Sequence, residues 1–122
     1  IVFKPGYVPN EDIEGYIKSS DLMIYPYKDI LTSGSLILGM SMAKPCLVSN
    51  VGSMTELISK EFVFGNVQEL KDLMHFFQDS SQENLKQIGN GNYLKIAHHT
   101  WENMAIELQI IYNKNILFDD MQ

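Results

Sequence analysis

Short apolar runs separated by helical patterns constrain the fold of this chain most. Residues 22–25 and 46–48 contain no charged side chain, and the second run directly follows Lys44-Pro45. Strands covered on both faces have this composition, whereas half-exposed strands alternate polar and apolar residues. A weaker run follows at 62–64, and residues 1–3 have the composition of a strand fragment. We therefore expect a sheet of about four strands.

Helical patterns fill the intervals between these runs. Ser53 and Asn66 each precede a glutamate by three residues, as capping residues do at the start of a helix. A helix after Ser80 is expected to end at Gly89-Asn90-Gly91, and Thr100 is expected to open the last helix. Its apolar stripe is predicted to face the core and consists of Trp101, Met104, Ala105, Leu108, Ile111 and Tyr112. The alternation predicts an α/β fold, a parallel sheet with helices on both faces.

Composition excludes several classes of protein. The chain has 122 residues, 45% of them hydrophobic and 20% charged, which predicts one globular domain without disorder. Its net charge is -6 and its basic residues are scattered, so we expect no nucleic-acid partner. We expect no transmembrane segment, because no apolar stretch approaches the roughly 20 residues needed. The single cysteine, Cys46, excludes an internal disulfide and is typical of a protein in the reducing cytoplasm. Cys46, His75, His98 and His99 do not have the spacing of a metal site.

The loop after the first buried run carries the groups most suited to a ligand. Thr32, Ser33, Gly34 and Ser35 offer hydroxyls and a glycine where a helix is expected to start near Ser35. Free N–H groups at a helix N-terminus bind anions, so this segment predicts a phosphate site. The alternative is that Thr32 or Ser33 only caps the helix.

The loops also resemble those of a known family. The segments are Gly6-Tyr7-Val8-Pro9, then residues 16–26, then 39–52 with Lys44-Pro45 inside it, then Glu56-Leu57-Ile58. In order and spacing they are similar to the second half of a family 4 glycosyltransferase, over nearly the whole chain. The resemblance implies that residues 1–122 are a partial, Rossmann-like C-terminal donor-binding domain of a GT-B enzyme. It further implies a retaining transfer, without metal or cofactor, of sugar from a nucleotide diphosphate sugar to a glycan or lipid-linked acceptor.

The resemblance also suggests which residues would bind the donor. They are Asp29, Thr32, Ser33, Gly34, Ser35, Gly52 and Ser53, with Glu56 as a structural or donor-side carboxylate. No catalytic residue is assigned. The two glutamates usual in this family are replaced by Ile30 and Leu38, which cannot accept hydrogen bonds from sugar hydroxyls.

We expect the family's N-terminal acceptor domain and the first strands of this lobe to be absent from the chain. Sugar transfer is accordingly expected of a longer protein and not of these residues alone. The resemblance places such a protein in the cytoplasm or peripherally at the inner face of the membrane, in polysaccharide biosynthesis. The alternative is a noncatalytic, flavodoxin-like module that binds a phosphorylated ligand or a partner.

Overall fold

The computed structural model describes residues 3–119, and the side chains of residues 3–114. Helices and strands alternate through the first half of the chain, and three long helices complete it. The elements are α1 (Asn10–Ser19), β1 (Met23–Tyr25), α2 (Gly34–Ser41), β2 (Cys46–Ser49), α3 (Met54–Leu57), a 3-10 turn (Lys60–Phe62), β3 (Val63–Phe64), α4 (Val67–Asp79), α5 (Gln82–Ile96) and α6 (Trp101–Asp119). No helix within the described residues is long and apolar enough to cross a membrane.

The described sheet has three parallel strands in the order β1-β2-β3. Ile24 lies opposite Leu47 in this register, and Val48 lies opposite Val63. The expectation of about four strands is therefore wrong for the part of the chain that the structure describes. Phe3, the last residue of the predicted first strand, lies outside any strand and is 84% exposed, and residues 1 and 2 lie outside the described range. Pro5, which lacks an N–H, and Gly6, with a φ of 120°, interrupt extended pairing just after it.

The central strand β2 is covered on both faces. Cys46, Leu47 and Val48 are all fully buried. Because successive side chains of a strand point to opposite faces, burial of all three requires cover above and below the sheet. Leu36 and Met40 of α2 are also fully buried, and Phe77 of α4 and Leu85 of α5 belong to the same core. The predicted α/β architecture is confirmed in this respect.

Helix α5 runs without a break through Gly89-Asn90-Gly91, so the predicted turn at this point is wrong. The reason is tertiary packing. A Cβ at Gly89 would overlap the carbonyl oxygen of Ala43 and lie 2.8 Å from its carbonyl carbon. One turn later, the side-chain amide of Asn92 donates to the carbonyl oxygen of Lys44 at 2.9 Å, and Asn92 is only 3% exposed. Gly89 thus lets α5 approach the turn between α2 and β2.

Helix α6 does not contribute to the core, contrary to the expectation from its apolar stripe. Every residue from 101 to 114 is exposed, including Trp101 at 82%. Thr100 caps this helix as predicted, because its hydroxyl accepts from the N–H of Asn103 at 3.2 Å. Helical periodicity identifies an apolar face but does not supply a surface to cover it.

Candidate functional site

Three loops meet at the carboxyl edge of the sheet, where ligands of parallel α/β folds usually bind. They follow β1, β2 and β3 at residues 26–33, 50–53 and 65–66. A cavity of about 370 Å³ lies across this edge and is lined by residues of all three loops, among them Lys28, Asn50 and Asn66. The predicted site residues 29–35, 52 and 53 lie in the first two of these loops and at the start of α2, beside the residues that line this cavity and not among them.

The start of α2 combines a cap with unused backbone donors. The helix begins at Gly34, and the Ser33 hydroxyl accepts from the N–H of Leu36 at 3.2 Å. The capping alternative is thus confirmed for Ser33, which is 7% exposed. Gly34 and Ser35 are exposed, and within residues 3–119 their N–H groups have no hydrogen-bond acceptor. The first turn of α2 consequently retains two N–H groups that can bind an anion.

Three hydroxyls cluster beside these N–H groups. The Ser35 Oγ lies 2.8 Å from the Tyr27 hydroxyl and 3.0 Å from the Ser33 Oγ. Three O–H groups that share two hydrogen bonds retain one proton that neither bond uses. Since Ser33 is buried, this proton is best placed on Ser35 or Tyr27, where it can be donated to a ligand. The cluster therefore suits a ligand with acceptor oxygens.

Sequence reasoning did not identify Tyr27 as part of this site. Its backbone is held because the Ser49 hydroxyl donates to the Tyr27 carbonyl oxygen at 2.7 Å. The neighbouring Tyr25 hydroxyl donates to the Ser35 carbonyl oxygen at 2.9 Å. Tyr25 and Tyr27 are two residues apart, a spacing that places side chains on one face of an extended segment. This spacing is the sequence feature that could have identified Tyr27 as part of the site.

The loop after β2 braces the loop after β1. Both the N–H and the hydroxyl of Ser53 donate to the carbonyl oxygen of Leu31, at 3.0 and 2.8 Å. The predicted capping role of Ser53 is therefore wrong, because its hydroxyl is used by a neighbouring loop and makes no bond to α3. Gly52, with a φ of 56°, permits this approach, since a Cβ there would overlap the carbonyl oxygen of Ile30. The looser cap at Asn66 is confirmed, because its side chain accepts from the N–H of Glu69 at 3.0 Å.

The remaining predicted residues lie at the same edge without joining the hydroxyl cluster. Asp29 and Thr32 are exposed, and neither makes a side-chain hydrogen bond within the described part of the chain. Glu56 is also exposed and lines a neighbouring cavity of about 830 Å³ with Asn50 and Lys60. The structure therefore brings Ser33 and Ser35 together, but it leaves Glu56 on an adjacent surface.

Ile30 and Leu38 differ in their environment, although both stand where the resemblance expects glutamate. Ile30 is half-buried and packs against the core. Leu38 is 39% exposed on α2. Neither side chain can accept a hydrogen bond from a sugar hydroxyl, so any such contact must come from another group.

Cys46 is not available as a nucleophile or a metal ligand. Burial raises the pKa of its thiol to about 12, so the thiolate that reacts with electrophiles and metals does not form near neutral pH. Burial also raises the pKa of the nearby Tyr25 hydroxyl. Within the described residues, no three side chains of the histidine, cysteine, aspartate and glutamate types come together to hold a metal ion.

Ser33→Ala is expected to lower the free energy of unfolding by about 1 kcal/mol, because α2 loses its capping acceptor. Urea titration followed by circular dichroism measures this change. Thr32→Ala is the matched control, since Thr32 is exposed and caps nothing. Equal stability of the Ser33→Ala variant and the unsubstituted protein would contradict the capping role.

Comparisons of the chain with protein-family models, with curated proteins and with solved structures found no match. Function is therefore inferred from the residues of the site and from the motif resemblance. In the structure, the groups best suited to a ligand are the N–H groups of Gly34 and Ser35 with the hydroxyls beside them.

Proposed function

We propose that the chain is the donor-binding part of a retaining glycosyltransferase that uses a nucleotide diphosphate sugar. The acceptor would be a glycan or a lipid-linked molecule, bound with the help of a further domain. The observation that carries the proposal is the first turn of α2, where two free N–H groups adjoin the hydroxyl cluster. This arrangement lies at the carboxyl edge of a parallel sheet, and the motif resemblance supports the same function.

The proposed chemistry places the diphosphate against Gly34 and Ser35. As the bond between the anomeric carbon and the phosphate oxygen breaks, that oxygen keeps the electron pair and negative charge grows on the diphosphate. The N–H groups of Gly34 and Ser35 and the positive end of the α2 dipole face this charge. Hydrogen-bond donors that are already oriented stabilise the transition state more than the ground state, and this difference accelerates the reaction.

The brace between the two loops supports this role. Ser53 holds the Leu31 carbonyl through two hydrogen bonds, which fixes the backbone just before Ser33. Held in this way, the N–H groups of Gly34 and Ser35 need little reorganisation when charge develops on the diphosphate. Gly52 and Ser53 therefore act on the donor through the loop after β1.

Gly34→Val tests the proposed phosphate site. A Cβ at Gly34 meets no atom within 4 Å, so the fold should tolerate the substitution. The added side chain occupies space beside the free N–H groups that the proposed phosphate would need. We expect the affinity for a nucleoside diphosphate to fall about tenfold or more, the effect of losing a hydrogen bond to a charged group. Calorimetric titration with UDP, GDP and ADP, each beside its nucleoside, measures this affinity.

Gly15→Val is the matched control, because Gly15 is also a helical glycine with no atom within 4 Å of its Cβ position. It lies in α1, outside the three loops that form the carboxyl edge of the sheet, and should leave the affinity unchanged. An unaltered affinity of a folded Gly34→Val variant would refute the phosphate site. If inorganic phosphate binds as tightly as the nucleoside diphosphates, the noncatalytic phosphate-binding module is the better assignment.

A further inference from the structure

The hydroxyl of Tyr25 reaches from β1 to the first turn of α2. Tyr25 is 5% exposed, and its hydroxyl donates to the Ser35 carbonyl oxygen at 2.9 Å. In an α-helix the carbonyl of residue 35 already accepts from the N–H of residue 39. Because a carbonyl oxygen has two lone pairs, Tyr25 can use the second one. Strand β1 is therefore tied to a residue whose own N–H is free for a ligand.

Gly39 makes room for this hydrogen bond. A Cβ at Gly39 would overlap the Tyr25 hydroxyl oxygen. The other two neighbours of that position, the Tyr25 Cζ at 3.4 Å and the Cys46 Sγ at 3.5 Å, lie at ordinary contact distance. Glycine inside a helix lowers stability relative to alanine. It is the hydroxyl of Tyr25, and not its ring, that requires a glycine here.

Ser35 is held through both its backbone and its side chain. Tyr27 stacks on Tyr25, with ring centroids 6.5 Å apart and an angle of 18° between the ring planes. The Tyr27 hydroxyl lies 2.8 Å from the Ser35 Oγ, while Tyr25 binds the Ser35 carbonyl. The carbonyl oxygens of both tyrosines lie within 3.3 Å of the Ser49 hydroxyl on β2. Contacts at two separate groups of Ser35 fix the orientation of its N–H.

We infer that Tyr25 is a positioning residue for the proposed phosphate site, because its hydroxyl sets the orientation of Ser35 and of the free N–H groups at the start of α2. This inference rests on the proposed function. Tyr25 is buried and acts through Ser35. Without its hydrogen bond the first turn of α2 has other orientations open to it, and only a fraction of the molecules is ready to bind. The loss of affinity is then limited by the free energy of that one hydrogen bond.

Tyr25→Phe removes the hydroxyl and keeps the ring. We expect the affinity for the tightest-binding of UDP, GDP and ADP to fall about two- to tenfold, the equivalent of one neutral hydrogen bond. Calorimetric titration of the full chain, well below its unfolding temperature, measures this affinity. Phe77→Leu is the control for stability, because Phe77 is equally buried but belongs to α4. It should lower the urea midpoint at least as much as Tyr25→Phe and leave the nucleotide affinity unchanged.

Gly39→Ala provides a second test. In the unsubstituted protein the new Cβ would displace the Tyr25 hydroxyl, so both the nucleotide affinity and the urea midpoint should fall. In the Tyr25→Phe background this overlap is absent and alanine has the higher helix propensity, so the same substitution should raise the midpoint. The nucleotide affinity of the double variant should stay at the value of Tyr25→Phe alone. The effect of Gly39→Ala on stability therefore changes sign.

Four results would overturn the inference. Equal nucleotide affinity of folded Tyr25→Phe and the unsubstituted protein would make Tyr25 a core residue only, and would leave the proposed function intact. An equal loss of affinity in Phe77→Leu would assign the effect to stability. If Gly39→Ala lowers the midpoint in both backgrounds, the contact between the Tyr25 hydroxyl and α2 is wrong. An unsubstituted chain that binds none of the three nucleotides would refute the proposed function and this inference together.

Discussion

Gly89→Ala is expected to lower the free energy of unfolding by about 2 kcal/mol or more. The new Cβ would overlap the Ala43 carbonyl oxygen, and a backbone atom cannot rotate away as a flexible side chain can. Overpacking against a fixed backbone atom lies at the upper end of the usual range, about 3 kcal/mol or more, against about 1 kcal/mol gained from the higher helix propensity of alanine. Relief of the overlap would separate α5 from α2 and weaken the bond between Asn92 and Lys44.

Gly91→Ala is the matched control for this prediction. Gly91 belongs to the same helix, and a Cβ there meets no atom within 4 Å. Only the propensity gain applies, so this variant should be more stable than the unsubstituted protein by about 1 kcal/mol. Urea unfolding curves of the two variants measure the difference. Should both variants gain stability, the close packing of α5 against Ala43 would be wrong.

Gly52→Ala is expected to lower the free energy of unfolding by about 2 to 3 kcal/mol. Alanine is disfavoured by about 1–2 kcal/mol at a φ of 56°, the value at Gly52. Its Cβ would also overlap the Ile30 carbonyl oxygen and lie 2.8 Å from the Leu31 carbonyl oxygen. The loop after β2 must therefore move, and the two hydrogen bonds from Ser53 to Leu31 are lost or lengthened.

The same substitution links stability to the proposed donor site. Displacement of Leu31 shifts the backbone that leads into Ser33, so the affinity for a nucleoside diphosphate should fall together with stability. Gly6→Ala is the control for conformation alone, because Gly6 also has a positive φ but open space around its Cβ position. It should reduce stability without changing nucleotide affinity. Unchanged stability of Gly52→Ala would show that the two loops do not brace each other.

Features that depend on neighbouring residues could be predicted from the sequence. The buried runs became strands β1 and β2, and the caps at Asn66 and Thr100 formed at the predicted residues. A capping side chain bonds to an N–H only three residues away, so its partner is present in any folded arrangement of that segment. Ser33 was a candidate cap for this reason, and its hydroxyl at the start of a helix also made it a candidate ligand-binding residue.

Predictions failed where a distant segment competed for the same group. Ser53 has the spacing of a capping residue, but its hydroxyl donates to Leu31, which lies 22 residues earlier in the chain. Gly89 was expected to end a helix, yet the helix continues through it, and a glycine is required there because the turn at Ala43 occupies the space of a side chain. Local pattern cannot detect such contacts, since they exist only after packing has brought the segments together.

For the candidate site, sequence alone determined the hydroxyls and the glycine at the start of α2. Only the tertiary structure brought Tyr27 beside Ser35 and set Gly52 against the loop after β1. It also left residues 101–114 of α6 exposed, although their apolar side chains were expected in the core. The physical reason is that spacing along the chain sets the direction of a side chain within its own element. What that side chain meets depends on how separate elements pack, which is a property of the whole fold.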